Sequence, residues 1–224
     1  MGTHAIPLKP ASLYPVRLRV VPSFDDRNRL TTGFRFILAI PHLLLVGGPM
    51  AVALTWATNA FDDDVVRSGS AGGVLGAVAA VCALIAWVAI IFTGRAPDGL
   101  ARLEAFYLRW RVRSSAYVAL FRDEYPPFGD DGYPAEIDLP AVHEPRDRLG
   151  VAFRPILAIP HLFCIWALGF AWGITTLVAW FAILFTGRYP RTLYDFGLGC
   201  FRWTTRVEAY LLLLVDEYPP FSLE

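Results

Sequence analysis

The sequence lacks the short motifs that mark many enzyme active sites. It contains no Walker sequence, no GxGxxG, no HExxH and no G-x-S-x-G, so it predicts no phosphate loop, no zincin helix and no nucleophile elbow. Cysteine is scarce, with three residues in 224 and no CxxC pair, which excludes a disulfide framework. These absences favour a protein that is not an enzyme.

Charge is also scarce, and its distribution is uneven. Charged residues make up 18% of the chain and hydrophobic residues 55%. Residues 155–187 form a run of 33 without a formal charge, and residues 74–92 and 36–61 form runs of 19 and 26. Runs of this length are candidates for membrane-spanning helices. The equal numbers of acidic and basic residues, 20 each, do not favour binding of nucleic acid.

The chain contains a tandem duplication. Residues 34–43, FRFILAIPHL, return as residues 153–162, FRPILAIPHL, with nine identities in ten at an offset of 119. FTGR at 92–95 and DEYPPF at 123–128 return at 185–188 and 216–221, at an offset of 93. We predict repeats over 14–128 and 133–221, a linker over 129–132, and tails over 1–13 and 222–224. The first repeat is longer by an insertion of 26 residues.

Each repeat is predicted to form a transmembrane hairpin. As one helix, the 33-residue run would be about 50 Å long, against about 30 Å for a bilayer core. Pro160 and the GFAWG stretch at 169–173 predict a turn in the second repeat, and the insertion predicts an outer loop at about 48–73 in the first. Two such units would be related by an axis along the membrane normal.

The basic residues orient these hairpins. Of the 20 basic residues only Arg67 lies in the loop that joins the two apolar runs of the first repeat. The positive-inside rule therefore predicts a multi-pass protein of the cytoplasmic membrane with both termini in the cytoplasm.

A third element follows FTGR in each repeat. Residues 99–122 and 192–215 predict amphipathic helices with arginines on one face. One interpretation is an interfacial helix whose arginine stems extend to the headgroups, another is a costly third span. A third is that arginines of the two repeats meet across the twofold and bind an anionic lipid headgroup or phosphate. The candidate lipid-binding or anion-binding residues are Arg95, Arg109, Arg113, Arg188, Arg202 and Arg206.

Two histidines occupy the same position in both repeats. His42 and His161 each follow a proline. Facing one another, they could ligate haem iron or a transition metal. The simpler alternative is a Pro-His pair at a helix start or kink. No other haem or metal motif is present, so the expectation is no cofactor, with a bis-His haem or metal protein as an alternative.

Short extended segments precede each unit. YPVRLRV at 14–20 alternates apolar and basic residues, and YPAEIDL at 133–139 alternates apolar and acidic residues. Arg17 and Arg19 correspond to Glu136 and Asp138, so the two strands are predicted to pair with cross-strand ion pairs.

The order of these motifs resembles a known family. YP-x-RLRV, RLTT-x-FR, LAIPHL, WFAILFTGRYP, RW-x-x-R-x-EAYLLLL and DEYPPFSLE are similar to the bacterial membrane proteins grouped as domain of unknown function 4389, which occur as single or tandem copies. The resemblance covers the chain from about residue 14 to its end. It implies a bacterial inner-membrane location and supplies no catalytic residue.

The sequence thus predicts an all-helical integral membrane protein with short extended cytosolic segments. The expected function is a non-enzymatic scaffold or accessory subunit that binds membrane lipid, a membrane protein complex or a second copy of itself. A small transporter or channel with a site between the hairpins is the alternative.

Overall fold

The computed structural model describes residues 14–49, 72–129, 131–141 and 145–224. This part of the chain is mainly helical. Its elements are β1 Arg17–Val20, α1 Arg29–Val46, α2 Gly73–Thr93, α3 Asp98–Val118, β2 Ala135–Asp138, α4 Arg148–Thr186 and α5 Arg191–Leu211. Three of the helices, α1, α2 and α4, are long and apolar enough to cross a membrane, by length and composition.

The turn predicted at 169–173 is wrong. α4 runs through this stretch as one helix of 39 residues, which is about 58 Å long. A glycine inside a helix costs only about 1 kcal/mol relative to alanine, whereas a turn in apolar surroundings would leave backbone groups without partners. Pro155 also lies inside α4. The Nε1 of Trp87 donates to the carbonyl of Val151 at 2.8 Å, which Pro155 cannot reach with an N–H of its own.

Helices α1 and α2 together correspond to α4. Val46, the last residue of α1, corresponds to Ile165, and Gly73, the first residue of α2, corresponds to the next residue, Trp166. The two helix ends touch, since a Cβ on Gly73 would lie 2.5 Å from the carbonyl carbon of Leu45. The insertion at 47–72 therefore interrupts one long helix. Most of the predicted outer loop, residues 50–71, lies outside the described residues.

The predicted hairpin is wrong in the first repeat as well. The backbone N–H of Arg27, just before α1, donates to the carbonyl of Gly187 at the end of α4 at 3.0 Å. The N–H of Arg146, just before α4, donates to the carbonyl of Gly94 at the end of α2, also at 3.0 Å. Since the two ends of α4 are far apart, the start of α1 and the end of α2 are far apart too. α1 and α2 follow one another along α4, antiparallel to it.

The repeated FTGR motif ends the long helices. Gly94 and Gly187 follow α2 and α4 with φ of 74° and 71°, a conformation that glycine adopts without strain. Their N–H groups donate to Ile90 and Ile183, four residues earlier, at 2.8 Å. A proline three residues later precedes α3 in one repeat and α5 in the other. The motif is therefore a helix stop followed by a helix start.

The predicted third helices are present as α3 and α5, which form a second layer. α3 packs on α1 and α2, and α5 packs on α4. The ring of Phe121, which follows α3, lies among aromatic rings of the second repeat. Its centroid is 6.3 Å from Trp172, 5.1 Å from Tyr194 and 5.8 Å from Phe201. The two repeats thus share one core.

The predicted strand pairing is confirmed. β1 and β2 form an antiparallel sheet in which Arg17 lies opposite Asp138 and Arg19 opposite Glu136. The guanidinium of Arg19 is 2.8 Å from the carboxylate of Asp138.

The register of this sheet defines a pseudo-twofold axis. Leu18 lies opposite Ile137, and the two correspond in the repeats, so the axis passes between them. The repeats exchange their strands: β1 packs on α5 and β2 on α3. Tyr14 accordingly donates to the carbonyl of Glu217 at 3.1 Å, and Tyr133 to that of Glu124 at 2.8 Å. The sheet therefore lies over the middle of the long helices, on the side of α3 and α5.

The other side of the helix layer is apolar and exposed. In α4 only a narrow stripe of residues is buried, and large apolar side chains point away from α3 and α5. Examples are Phe34, Ile37 and Ile40 on α1, Val78, Val81 and Phe92 on α2, and Phe153, Phe163, Phe170 and Phe185 on α4. Such a continuous apolar surface marks contact with a membrane or another protein.

Candidate functional site

An aspartate of each DEYPPF motif binds two arginines. Asp123 accepts hydrogen bonds from Arg27 at 2.9 and 2.7 Å and from Arg35 at 2.5 Å. Both guanidinium groups are almost fully buried, whereas the carboxylate is partly exposed. We call Asp123 with Arg27 and Arg35 the first clasp. Planar guanidinium groups suit this role because they bind a carboxylate through several N–H donors at once.

The second repeat forms the same arrangement. Asp216 accepts hydrogen bonds from Arg146 at 2.8 and 2.5 Å and from Arg154 at 2.8 Å. These residues, the second clasp, correspond to the first at offsets of 119 for the arginines and 93 for the aspartate. The duplication therefore preserves a contact as well as the residues.

The clasp arginines also bind carbonyl groups at the C-terminal ends of α3 and α5. Arg35 donates to the carbonyl of Tyr117, in the last turn of α3, at 2.9 Å, and Arg27 donates to that of Leu120 at 2.6 Å. Arg154 and Arg146 repeat these contacts at the end of α5. Leu120 has a φ of 68°, a left-handed conformation that ends the helix. Cations at a helix C-terminus satisfy its unpaired carbonyls and its partial negative charge.

Burial and charge act in opposite directions on Asp123. Burial alone raises the pKa of this carboxyl, but the hydrogen bonds and charge of Arg27, together with Arg35, lower the pKa to about 2. The first clasp is therefore ionised throughout the physiological pH range.

The repeated histidines bind tryptophans of their own repeats. Trp110 donates from Nε1 to Nδ1 of His42 at 3.1 Å, and Trp203 donates to His161 at the same distance. Both histidines are fully buried. The ring of Phe128 in DEYPPF stacks on His42 at 4.4 Å, and its counterpart stacks on His161 at 4.0 Å. Each histidine thus anchors the end of its own repeat against the long helix.

This arrangement does not resemble a metal site. Nδ1 of each histidine already accepts a hydrogen bond, and Nε2 is buried without a partner among the described residues. Within the described ranges, no three histidine, cysteine or acidic side chains gather to hold a metal ion. The packing favours the structural interpretation of His42 and His161.

The Trp203–His161 hydrogen bond gives a testable prediction. Replacing Trp203 with phenylalanine leaves a buried acceptor without its donor, so we expect the free energy of unfolding to fall by about 1–3 kcal/mol. Thermal unfolding in detergent measures the change. Trp166→Phe is the control, because Trp166 is 49% exposed and we expect a loss below about 0.5 kcal/mol. Equal losses in the two variants would show that the hydrogen bond has no stabilising role.

The six arginines proposed to bind lipid or anion occupy different environments. Arg113 and Arg206 are buried and bind their own repeats, donating to the carbonyls of Gly129 at 2.7 Å and Ser222 at 3.3 Å. Arg109 and Arg202 are half-buried on α3 and α5, whereas Arg95 and Arg188 are exposed after the long helices. Arg188 is 3.3 Å from Asp25. Lipid binding by these residues remains a prediction.

Another arginine, Arg111 on α3, forms an ion pair with a glutamate on α5. Nε of Arg111 donates to both carboxylate oxygens of Glu208 at 3.0 Å, and its Nη1 donates to the carbonyl of Val46 at 2.6 Å. Neither side chain is repeated, since the counterparts are Thr204 and Ser115. The duplication therefore gave no signal for this ion pair.

Another unrepeated group is a buried carboxyl. Glu104 on α3 is 1% exposed, and one of its oxygens has no hydrogen-bond partner within the described part of the chain. Burial raises the pKa of Glu104 to about 8, although Arg146 acts in the opposite direction. The second repeat has Gly197 at this position.

The clasp residues could have been recognised from the sequence. The arginine pair has the same spacing before both LAIPHL segments, and an aspartate begins both DEYPPF segments. Repeated residues of opposite charge indicate a contact that both copies keep. A contact between the repeated FR and DEYPPF segments was not among the predictions from the sequence.

These features define a two-repeat helical protein with an apolar layer and a charged layer. The chain belongs to the family described as Domain of unknown function (DUF4389), whose model matches residues 68–129 and 148–222, one match in each repeat. The family resemblance found in the sequence is thus confirmed. No curated protein and no solved structure matches the chain.

Proposed function

We propose that the protein is a non-enzymatic scaffold or accessory subunit of the bacterial inner membrane. Its apolar helix layer lies in the bilayer, and α3, α5 and the sheet form a cytosolic platform for lipid or a partner protein. The observation that carries this proposal is the contrast between the two faces: large apolar side chains cover one, and the charged sheet lies on the other. Proteins held in a membrane surface have this asymmetry.

The position of the sheet argues against an upright molecule. Because the sheet lies over the middle of the long helices, upright helices would place it at the centre of the bilayer. Arg19 and Asp138 are 72% and 48% exposed, and exposed charges are costly at that depth. The open edges of a two-stranded sheet would also lack partners in lipid. The long helices therefore lie along the membrane plane, with the pseudo-twofold axis along its normal.

This orientation places both described ends of the chain on one side. Residue 14 and residues 216–224 lie with the second layer, where Tyr14 binds Glu217. The concentration of basic residues outside the apolar runs supports a cytosolic location for that side. The predicted axis and termini are retained in the proposal, whereas helices in the membrane plane replace the predicted hairpins.

Depth measurements test this orientation. Spin labels at positions 153, 170 and 185 of α4 would replace exposed phenylalanines near the start, middle and end of the helix. We expect all three labels to have similar depths below the headgroups, because a helix in the membrane plane keeps its apolar face about 5–10 Å deep. Oxygen and nickel accessibility in vesicles measure the depth, after Cys82, Cys164 and Cys200 are replaced.

Position 19 on the exposed side of the sheet is the control, and we expect a label there to be accessible to water. A label at 170 near the bilayer centre, with 153 and 185 at opposite surfaces, would indicate a spanning helix and contradict the orientation. Three water-accessible labels would contradict membrane insertion itself.

The structure offers less support for the alternative functions. A transporter site between hairpins requires hairpins, and α4 is continuous. A bis-His haem site requires imidazole nitrogens that a ligand can reach, and both histidines are fully buried, each bonded to a tryptophan of its own repeat. The repeated polar residues bind one another and the helix ends, which suits a rigid platform.

A further inference from the structure

A cleft lies beside the second clasp, between α2, α4 and the end of α5. Its apolar part has a volume of about 290 Å³ and is lined by Ala83, Leu84, Trp87, Pro155, Leu211 and Leu213. A second part of about 340 Å³ is lined by the polar side chains of Asp147, Arg154, Asp216 and Tyr218 together with apolar residues such as Val151 and Leu157, and we call it the polar part. Arg154 lines both parts, so they adjoin at its side chain.

One substitution between the repeats explains why the apolar part is open. Pro155 corresponds to Phe36, and Trp87 corresponds to Trp180. Beside the first clasp, the ring of Phe36 lies 6.4 Å from that of Trp180. Both tryptophans are held in the same way, since Trp87 donates to Val151 and Trp180 to the corresponding carbonyl, each at 2.8 Å. The cleft therefore occupies the space that a phenylalanine ring fills in the other half.

A second substitution adds a carboxylate to the polar part. Asp147 caps α4 by accepting from the N–H of Leu149 at 3.1 Å, and Asn28 caps α1 at the corresponding position. The hydrogen bond to Leu149 uses only Oδ1 of Asp147. Asp216 likewise binds both clasp arginines through Oδ1 alone. The second oxygens of these carboxylates are therefore acceptors without a hydrogen-bond partner among the described residues.

We propose that this cleft binds one acyl chain and the ammonium headgroup of an aminophospholipid. The apolar part takes the chain, and the free oxygens of Asp147 and Asp216 accept N–H groups from the ammonium. Its volume is near the lower limit for ligand pockets, about 300 Å³, which suits one chain rather than a whole lipid. The inference rests on the proposed function, because the lipid enters from the bilayer that the cleft borders.

Native mass spectrometry tests the chain site. The protein is purified from vesicles of phosphatidylethanolamine and phosphatidylcholine with identical chains, and we expect one retained lipid per wild-type molecule. Pro155→Phe introduces the side chain that the other repeat carries. Because affinity falls roughly fourfold for each CH₂ that loses its contact, displacing two lowers the affinity about fifteenfold, and we expect most of the lipid to be lost during purification. Phe36→Ala opens the equivalent space beside the first clasp, so we expect a second lipid.

The headgroup site is tested by Asp147→Asn. This variant keeps the helix cap, since asparagine caps as well as aspartate and does so at Asn28. Phosphatidylcholine is the matched lipid, because its methylated ammonium has no N–H to donate. We expect the wild type to prefer phosphatidylethanolamine about tenfold, as hydrogen bonds to charged groups imply, and the variant to lose most of this preference.

The outcomes decide between the parts of the proposal. Unchanged lipid retention in Pro155→Phe would overturn the chain site. If that variant does not fold, Phe36→Ala decides, and one retained lipid there would be contrary to the proposal. An unchanged headgroup preference in Asp147→Asn would overturn the ammonium site. Because the spin-label depths are measured separately, their failure would count against membrane placement, whereas lipid retention tests only the cleft.

Discussion

Replacing Asp123 with alanine is expected to lower the free energy of unfolding by about 3–5 kcal/mol, because it leaves two buried guanidinium groups without their carboxylate. The side chains of Arg27 and Arg35 are 0% and 1% exposed. They would still bind carbonyl groups at the end of α3, but the uncompensated charges remain. Chemical unfolding in detergent, followed by tryptophan fluorescence, measures the loss.

Asp25→Ala provides the matched control. Asp25 pairs with Arg188 at 3.3 Å, and their side chains are 66% and 76% exposed. An exposed pair of this kind contributes about 0–1 kcal/mol, so a comparable loss in both variants would contradict the stabilising role of the clasp. The lowered pKa of Asp123 gives a second test. The stabilisation that Asp123 contributes is complete above the unfolded pKa of about 4 and disappears as pH falls through about 2. Over this pH range we expect the wild type to lose more stability than the Asp123→Ala variant, which lacks the carboxyl.

Sequence patterns predicted the strand pairing and the third helices. The strand pairing followed from alternation and opposite charge at Arg17 and Asp138, and the third helices followed from their apolar periodicity. The predicted hairpins were wrong because a single sequence does not show which distant residue binds the carbonyl group that a proline inside a helix leaves without a donor. In α4 the carbonyl of Val151 is satisfied by Trp87, which is 64 residues away.

The clasps were accessible to prediction only in part. Both copies carry arginine pairs and the aspartate, yet the bonds join residues 96 and 88 positions apart in the first repeat. Sequence spacing cannot show that Arg27 and Arg35, one before α1 and one within it, converge on the end of α3. The cleft could not be predicted either. Proline at 155 in place of the phenylalanine at 36 does not show by itself how the missing ring changes the packing. That effect depends on Trp180 and Trp87, which belong to distant helices.

The ion pair between Arg111 and Glu208 has the second large expected effect. Arg111 is 1% exposed and Glu208 8%, and the pair joins α3 of one repeat to α5 of the other. Glu208→Ala leaves the arginine buried with no carboxylate, so we expect a loss of about 3–5 kcal/mol. The remaining bond to the carbonyl of Val46 satisfies one donor of the guanidinium but not its charge.

The duplication supplies the variant that separates charge from packing. Arg111→Thr with Glu208→Ser places in each helix the residue that its counterpart carries, Thr204 or Ser115. Because this variant removes both charges, we expect it to be more stable than Glu208→Ala by about 1–3 kcal/mol, even though it removes more contacts. A double-mutant cycle in detergent, with the two single variants Arg111→Thr and Glu208→Ser, measures the coupling. Additive losses would show that α3 and α5 are held together by the aromatic core around Phe121, with the ion pair contributing little.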